Sequence, residues 1–276
     1  MDVNNVAFLL VTCSMEPMRA NVLRNVVENI ITVAPVLYNV LTVFDNASTE
    51  PDTLEVLNGL NRNFAPVFRA SENVGYWSAI DWWLDSMNES PPKYTYIIES
   101  DVIHYDFNKL RNCVDYLDTH NDVGSVRLLE FSVKNKQFYN KDARVEGSRV
   151  SAWQSSTNKA TGERIVINHD EGDLYKTTFL TQLCALNRYE TMLETFKRLR
   201  GFQKFSELDF QKLYWEKYKS TGLLDGGIFH AELTAAKNNL PTGSWTPIDE
   251  LKRMGYLPSR FASITPQNEY TVQRMI

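Results

Sequence analysis

Polar side chains follow three of the apolar runs in the first half of the chain, and they are the residues best suited to chemistry. The first run ends at Thr12, the second at Asp45, and the fourth leads into Glu99, Ser100 and Asp101. In an open α/β sheet, ligands bind outside the carboxyl ends of the strands. If these runs are neighbouring strands, their polar ends converge on one crevice.

Glu99 and Asp101 place two carboxylates at alternate positions where an apolar strand stops. Both can face the crevice and supply hard oxygen ligands to a divalent cation such as Mn²⁺ or Mg²⁺. A cation that bridges a diphosphate is the natural use of such a pair. A strand exit with solvated acids has the same pattern, and for an isolated pair of this spacing it is the commoner outcome.

Two further segments can contact a nucleotide. The carboxylate of Asp45 can accept hydrogen bonds from a nucleobase or a ribose, although an ordinary turn residue after a strand has the same appearance. Asn73 and Gly75 precede a predicted helix, where glycine permits close backbone approach and the amide dipoles favour phosphate. Glycines are common where a loop meets a helix, so this segment also keeps a purely structural interpretation.

A second constellation starts at Ser206, which precedes Glu207 and Asp209 at a predicted helix start. Ser206 and Asp209 also have the form of a helix cap and a first-turn acid, so at least one of the two acids can have only that role. His230 follows a glycine pair and is one of four histidines in the chain. It is equally well interpreted as a core residue or as a metal ligand.

The elements that must position these residues alternate between strand and helix patterns, as in a mostly parallel sheet flanked by helices. The predicted strands of the first half are 6–12, 40–44, 66–69, 94–98 and 125–129. Ser48 or Thr49 is predicted to cap the second helix, and Asp106 the fourth. Residues 130–173 are polar and are predicted to be loops of an acceptor-binding region, with a strand at 164–167.

The second half is also predicted to be folded. A strand is expected at 177–186 and helices at 188–199 and 207–219, with Asn187 and Ser206 as their caps. The four prolines beyond residue 240 indicate an irregular tail.

Composition excludes several classes of protein. Of the 276 residues, 43% are hydrophobic and 12% aromatic, which suits a large α/β domain and rules out a disordered chain. The net charge of −5 comes from interspersed acids and bases, so no nucleic-acid or anionic-membrane partner is expected. The three cysteines, Cys13, Cys113 and Cys184, are odd in number and have no C-x-x-C spacing. This argues against a disulfide framework or a cysteine zinc site and favours a reducing, cytoplasmic location. The apolar run at 6–11 is too short for a signal peptide or an integral membrane segment.

Taken in order, these segments resemble the family-2-like glycosyltransferases, which have the nucleotide-binding GT-A fold. Such enzymes have an early strand that ends in Thr or Ser, an Asp-rich turn that holds the base, an Asn-x-Gly helix start and an Asp-x-Asp metal motif. The similar segments here are Thr12, Asp45-Asn46-Ala47-Ser48, Asn73-Val74-Gly75 and Glu99-Ser100-Asp101. The resemblance covers residues 6–230 and departs from the family at Glu99, which replaces the first Asp of the metal motif.

The family also has a Glu-Asp-x-Asp segment at a helix start, followed by a Gly and by a strand that ends in His. Here Ser206 replaces the family Glu, and Glu207 stands where the catalytic Asp is expected. The resemblance therefore implies a role for each candidate residue. The implied catalytic residues are Glu207 and Asp209; the metal ligands are Asp101, Glu99 and His230; and the nucleotide-binding residues are Thr12, Asp45, Asn73, Gly75 and Ser100.

The resemblance implies a GT-A-like α/β fold and a metal-dependent, inverting glycosyltransferase of the hexosyltransferase class. It is expected to move a sugar from a nucleotide-sugar, with UDP favoured, to a hydroxyl of a glycan or another acceptor. Residues 1–130 are expected to form the nucleotide-sugar-binding half, 131–233 the acceptor-binding and catalytic half of the same domain, and 234–276 the irregular tail.

Two other interpretations stay open. A sugar-nucleotide nucleotidyltransferase has a related fold, but it normally has a glycine-rich loop after the first strand, and residues 13–16 contain no glycine. An inactive glycan-binding relative is the second, and the departures at Glu99 and Ser206 motivate it.

Overall fold

The computed structural model describes most of the chain up to residue 128 and separate segments beyond it. The described residues are 5–34, 37, 40–104, 106–128, 130–132, 137–139, 143–146, 149–152, 154–157, 164–167, 174–177, 184–202, 207–223 and 226–230. The chain forms two compact units. The amino-terminal unit comprises Ala7–Ala79, Ile98–Tyr105 and Phe229–Ile276, and the central unit comprises Met1–Val6, Ile80–Ile97 and Asp106–Ile228.

Helices and strands alternate through the first half. The helices are α1 (Pro17–Val33), α2 (Pro51–Asn63), α3 (Tyr76–Ser86), α4 (Lys109–Thr119), α5 (Tyr189–Leu199) and α6 (Glu207–Trp215). The strands are β1 (Val6–Thr12), β2 (Leu41–Asp45), β3 (Val67–Arg69), β4 (Tyr94–Glu99), β5 (Val102–His104), β6 (Val123–Leu128), β7 (Glu130–Ser132), β8 (Gln137–Tyr139), β9 (Ala143–Glu146), β10 (Arg149–Ala152), β11 (Gln154–Thr157), β12 (Arg164–Ile167), β13 (Leu174–Thr177), β14 (Ala185–Arg188), β15 (Lys219–Leu223) and β16 (Ile228–His230).

The amino-terminal unit is built on three parallel strands in the order β1-β2-β3. Helix α1 begins at Pro17, whose fixed φ angle suits the first helical position, and it packs against α2 and β5. The register places Thr12 beside Asp45, and Asp45 beside Arg69. The carboxyl ends of β1 and β2 therefore lie side by side, as the sequence predicts.

The central unit contains five strands in the order β13-β15-β6-β14-β4. Strand β15 is parallel to β6, whereas β14 is antiparallel to both of its neighbours and β13 is antiparallel to β15. Helices α4 and α5 pack on β14, and α6 packs on α5 and β15. Helices thus pack against strands in both units, and the predicted α/β class is confirmed. The predicted division of function near residue 130 stays a prediction.

The cap of α2 differs from the prediction. Pro51 occupies the first helical position, so the residue before it, Glu50, is the cap, and its carboxylate accepts a hydrogen bond from the Thr53 N–H at 2.7 Å. The Ser48 hydroxyl is used elsewhere, because it accepts a hydrogen bond from the Ser14 N–H at 2.8 Å. A long-range contact therefore decides which side chain caps the helix.

Two other predicted caps are wrong. Helix α4 starts after Asn108, and Asp106 instead accepts a hydrogen bond from the Asn108 N–H at 3.0 Å in the preceding turn. Asn187 lies inside β14 and donates to the Ala185 carbonyl at 2.8 Å, so Arg188 becomes the cap position of α5. In both cases the polar side chain stabilises the backbone before the helix.

Several element boundaries also differ from the prediction. Of the strand predicted at 177–186, Thr177 belongs to β13 and the last two residues belong to β14, while residues 178–183 lie outside the described residues. The last predicted helix ends at Trp215, and Lys219 already belongs to β15. Strand β5 was not predicted, and strands lie within the stretch predicted as loops, where β12 coincides with the predicted strand at 164–167. Ser206 and the tail beyond residue 240 lie outside the described residues.

All three cysteines are free thiols. Within the described ranges, no helix combines the length and the apolar character that a membrane crossing requires.

Gly124 of β6 is packed closely against aromatic side chains. A Cβ atom at this position would lie 3.0 Å from Cζ of Tyr214 and 3.1 Å from Cβ of Tyr218, and closer still to the Tyr214 hydroxyl. Tyr214 is fully buried, and its hydroxyl shares a hydrogen bond of 3.3 Å with Thr191. The ring cannot move aside without disturbing this bond.

Gly124→Ala is therefore expected to lower the free energy of unfolding by about 2 kcal/mol, the usual cost of overpacking a well-filled core. Gly59→Ala in α2 is a control of opposite sign, because nothing lies within 4 Å of its added Cβ. Alanine in a helix interior is favoured over glycine by about 1 kcal/mol. Urea unfolding of both variants measures the two changes, and a Gly124→Ala variant as stable as the wild type would contradict the packing.

His104 of β5 is 1% exposed, and burial lowers its pKa to about 3 from an ordinary value of 6.5. The unfolded chain binds a proton below pH 6.5, whereas the folded protein binds it only near pH 3. The contribution of His104 to stability is therefore complete above the ordinary pKa, and it is lost as the pH falls from there towards the folded pKa. The loss within this window is about 1.4 kcal/mol per pH unit.

His104→Gln removes this titration and is expected to make stability less sensitive to acid. Urea unfolding of wild type and variant between about pH 7 and about pH 4 measures the two slopes, and other titrating groups cancel in their difference. Parallel slopes would show that His104 does not have a lowered pKa.

Candidate functional site

Hydrogen bonds join the turns that follow β1 and β2. The Asn46 N–H donates to the Thr12 carbonyl at 2.8 Å, and the Ser14 N–H donates to the Ser48 hydroxyl at 2.8 Å. The Ser14 carbonyl in turn accepts a hydrogen bond from the Thr49 N–H at 3.0 Å. Thr12, Ser14 and Ser48 are all buried. The two strand ends therefore form one hydrogen-bonded surface.

Asp45 is fully buried and holds the second of these turns. Its Oδ1 accepts a hydrogen bond from the Ser48 N–H at 2.9 Å, and its Oδ2 lies 3.3 Å from Nε of Arg69 without forming a hydrogen bond. Arg69 also donates to the Ser48 carbonyl at 2.7 Å. Burial, and then the neighbouring Asp45 carboxylate, raises the pKa of the Cys13 thiol. Asp45 thus has a role in the turn, and its contact with a nucleotide stays a prediction.

Two asparagine side chains connect this turn to the segment before α3. Nδ2 of Asn46 donates to Oδ1 of Asn73 at 2.9 Å, and Oδ1 of Asn46 accepts a hydrogen bond from the Val74 N–H at 2.8 Å. Ala47, the next residue, has a φ angle of 62°. A left-handed conformation costs a residue with a Cβ atom about 1–2 kcal/mol, and such strain clusters at ligand sites. Sequence reasoning did not select Asn46, because its partners lie far along the chain.

Gly75 leaves the backbone before α3 accessible to a ligand from solvent. Its N–H donates to Oδ1 of Asn73 at 2.9 Å, and its φ angle of 86° is strained for any residue with a Cβ atom. No atom lies within 4 Å of the position that such a Cβ would occupy. Asn73 and Gly75 are exposed. This geometry suits the close approach of a phosphate to the start of a helix.

The acidic pair lies in the same unit as these turns. Glu99 ends β4, and Ser100 and Asp101 form the turn before β5; all three are half-buried. Oε1 of Glu99 accepts a hydrogen bond from the Tyr76 hydroxyl at 3.4 Å. Because Tyr76 is the first residue of α3, the acidic pair and the open backbone at Gly75 lie close together.

His230 is the last residue of β16, and β16 is the hydrogen-bonded neighbour of β5. The strand that carries His230 is thus paired with the strand that follows Asp101. Among the described side chains, no group of three or more His, Cys, Asp and Glu residues could hold a metal ion. The His230 side chain lies outside that description. Two carboxylates and one imidazole would supply oxygen and nitrogen ligands of the kind that suits Mn²⁺, so the residue types fit the cation, and their role as ligands stays a prediction.

Glu207 and Asp209 belong to the first turn of α6 in the central unit. Asp209 is half-buried. Residues two apart on a helix are turned by about 200° about its axis, so the two positions lie on different sides of α6. This separation favours one general base over a pair that acts together, and the catalytic role of either acid stays a prediction.

A solved structure tests the fold independently. The chain is similar to the crystal structure of GalNAc-T7 with UDP, GalNAc and Mn²⁺, with a TM-score of 0.56 and 12% identity. The fold is GT-A-like. The similarity covers 82% of this chain and 43% of that one, so this chain spans less than half the length of that protein. At this identity the similarity concerns the fold alone, and it confirms the expected fold.

Two further structures are similar at TM-scores below 0.5 and add no argument. One is the mannosyltransferase PcManGT from Pyrobaculum calidifontis in complex with GDP-Man and Mn²⁺, with a TM-score of 0.49, 16% identity and coverage of 82% of this chain and 56% of that one. The other is 4-diphosphocytidyl-2C-methyl-D-erythritol synthase from Anaerococcus prevotii. Its TM-score is 0.46 and its identity 9%, and the similarity covers 82% of this chain and 90% of that one. No family model and no curated protein match the chain.

Proposed function

We propose that this protein is a metal-dependent glycosyltransferase of the hexosyltransferase class. It transfers a sugar from a nucleotide-sugar, with UDP favoured, to a hydroxyl of a glycan or another acceptor, with inversion at the anomeric carbon. One observation carries the proposal. In a GT-A-like fold, the turns after β1 and β2, the segment before α3 and the acidic pair after β4 belong to one unit and are connected through Asn46, Asn73 and Tyr76.

The donor diphosphate binds at the start of α3 in this proposal. The N–H groups of the first turn of a helix have no partner within the helix, and the helix dipole favours negative charge there. Gly75 lets the diphosphate approach the backbone, and Asn46 and Asn73 keep this segment beside the β2 turn. Thr12, Asp45 and Ser100 complete the nucleotide-binding surface.

Asp101 would be the principal metal ligand, and Glu99 and His230 would assist it. A divalent cation held there, Mn²⁺ or Mg²⁺, would stabilise the charge that develops on the departing diphosphate. The Tyr76 hydroxyl donates to Glu99 and orients this carboxylate. Asp101 keeps the residue type of the family's metal motif, whereas Glu99 departs from it, so Asp101 is expected to contribute more of the binding energy.

Glu207 acts as the general base. It removes the proton of the acceptor hydroxyl while that oxygen attacks the anomeric carbon, and the bond between the sugar and the diphosphate breaks on the opposite face. The proton then resides on Glu207, and the nucleoside diphosphate leaves. Because an acceptor hydroxyl is a poor acid, proton removal has to accompany the attack.

Isothermal calorimetry of the purified protein against UDP, GDP and a panel of their sugars, with Mn²⁺ and then with a chelator, tests the donor site. Binding of one nucleotide that requires the metal is expected. The absence of binding to every nucleotide would overturn the transferase proposal and favour an inactive glycan-binding protein. A reaction that joins a sugar phosphate to a nucleoside triphosphate and releases diphosphate would instead identify a nucleotidyltransferase.

A further inference from the structure

A buried amide on α1 holds the strand that follows the acidic pair. Nδ2 of Asn29 donates to the His104 carbonyl at 2.8 Å, and Oδ1 of Asn29 accepts a hydrogen bond from the His104 N–H at 2.9 Å. Asn29 is 4% exposed and His104 is 1% exposed. One side chain thus satisfies both backbone groups of a β5 residue, as a neighbouring strand does in a sheet.

Strand β5 is short and buried, so its backbone groups need partners within the protein. It has three residues, and its hydrogen-bonded strand neighbour is β16, which also has three. A pair of strands by itself is marginally stable at best. The amide of Asn29 therefore adds two hydrogen bonds to this strand, and it ties β5 to a helix of 17 residues.

The position of β5 matters because two of the proposed metal ligands are connected to it. Asp101 directly precedes β5, and His230 ends the strand that pairs with β5. Asn29, β5 and His230 all belong to the amino-terminal unit. A shift of β5 away from α1 would carry Asp101 and the paired strand β16 with it, and would move both relative to Glu99, which ends β4.

We infer that Asn29 is a positioning residue for the divalent cation, because it fixes β5 and so sets where Asp101 and His230 lie relative to Glu99. This inference rests on the proposed function, of which the cation is a part. Groups that orient metal ligands without touching the metal typically change metal affinity by about 10–100-fold when they are replaced.

Asn29→Leu removes both hydrogen bonds and keeps a side chain of similar size. We expect it to raise the Kd for Mn²⁺, measured on the full chain by electron paramagnetic resonance of free Mn²⁺, by about 10–100-fold. Transfer activity is expected to recover when the Mn²⁺ concentration is raised by the same factor. Asn21→Ala, at an exposed position of α1, and Leu57→Ala, at a buried position of α2, are expected to leave the Kd unchanged.

The Leu57→Ala variant separates a metal effect from a general loss of stability. If Asn29→Leu lowers the melting temperature as Leu57→Ala does but binds Mn²⁺ with wild-type affinity, Asn29 is only a structural residue and the inference is overturned.

If Asn29→Leu does not fold, Asn29→Gln retains the amide on a longer side chain and is expected to raise the Kd by about threefold to tenfold; an unchanged Kd would overturn the inference equally. A wild-type protein that binds no Mn²⁺ would instead overturn the proposed function, and the inference with it.

Discussion

Asparagine in place of Asp101 is expected to lower the Mn²⁺-dependent affinity for UDP by at least about 100-fold, since even replacement of an outer-shell group costs about 10–100-fold. The substitution keeps the shape of the side chain but removes the negative charge that a divalent cation prefers. Asp101 is half-buried in the turn between β4 and β5. Calorimetry with UDP, with and without Mn²⁺, measures the loss.

Asp52→Asn is the matched control for Asp101. Asp52 is an exposed acid in the first turn of α2 and belongs to the same unit, so its replacement removes one charge without touching the acidic pair. Glu99→Gln is expected to have a smaller effect than Asp101→Asn, because Glu99 departs from the Asp of the family's metal motif and Asp101 keeps it. Undiminished metal-dependent binding in Asp101→Asn would remove Asp101 from the site.

Glutamine in place of Glu207 is expected to lower the turnover number by about 10²–10⁴-fold at saturating donor and acceptor, the usual contribution of a general base. Affinity for the donor nucleotide is expected to stay unchanged, because the residues proposed to bind the nucleotide belong to the other unit of the chain. Release of UDP and formation of the glycosylated acceptor, followed together, measure turnover. Calorimetry on the same variant measures donor binding.

Asp209→Asn and Glu216→Gln are the controls for Glu207. Asp209 is turned by about 200° from Glu207 on α6, and a smaller loss is expected there. Glu216 is exposed after the same helix, where it forms an ion pair with Arg198, and its replacement is expected to leave turnover unchanged. A larger loss in Asp209→Asn than in Glu207→Gln would assign the base to Asp209.

Long apolar runs bounded by polar residues were predictable from the sequence. Strand β1 has the predicted limits, and β2 and β4 differ by one residue at their ends. Burial on both faces makes such strands nearly continuous apolar runs, so the pattern marks them clearly. Short elements were less visible, and β5 was missed because three residues are too few to show a period.

Caps were harder to predict than helices. Glu50, Asp106 and Asn187 all have side chains that can bond a nearby backbone, and the sequence offers several such residues before each helix. Which of these side chains caps the helix depends on the other hydrogen-bonding groups that the fold brings close to it. Ser48 does not cap α2 because its hydroxyl meets the Ser14 N–H, which lies 34 residues away.

The sequence by itself determined the alternation of strands and helices and the polar residues that end each strand. Only the tertiary structure decided which of those side chains bond to one another. The Asn46–Asn73 bond spans 27 residues, and the bonds between Asn29 and His104 span 75. Local propensity depends on the nearest residues, whereas these hydrogen bonds depend on strand order and on where α1 packs, which the whole chain settles together.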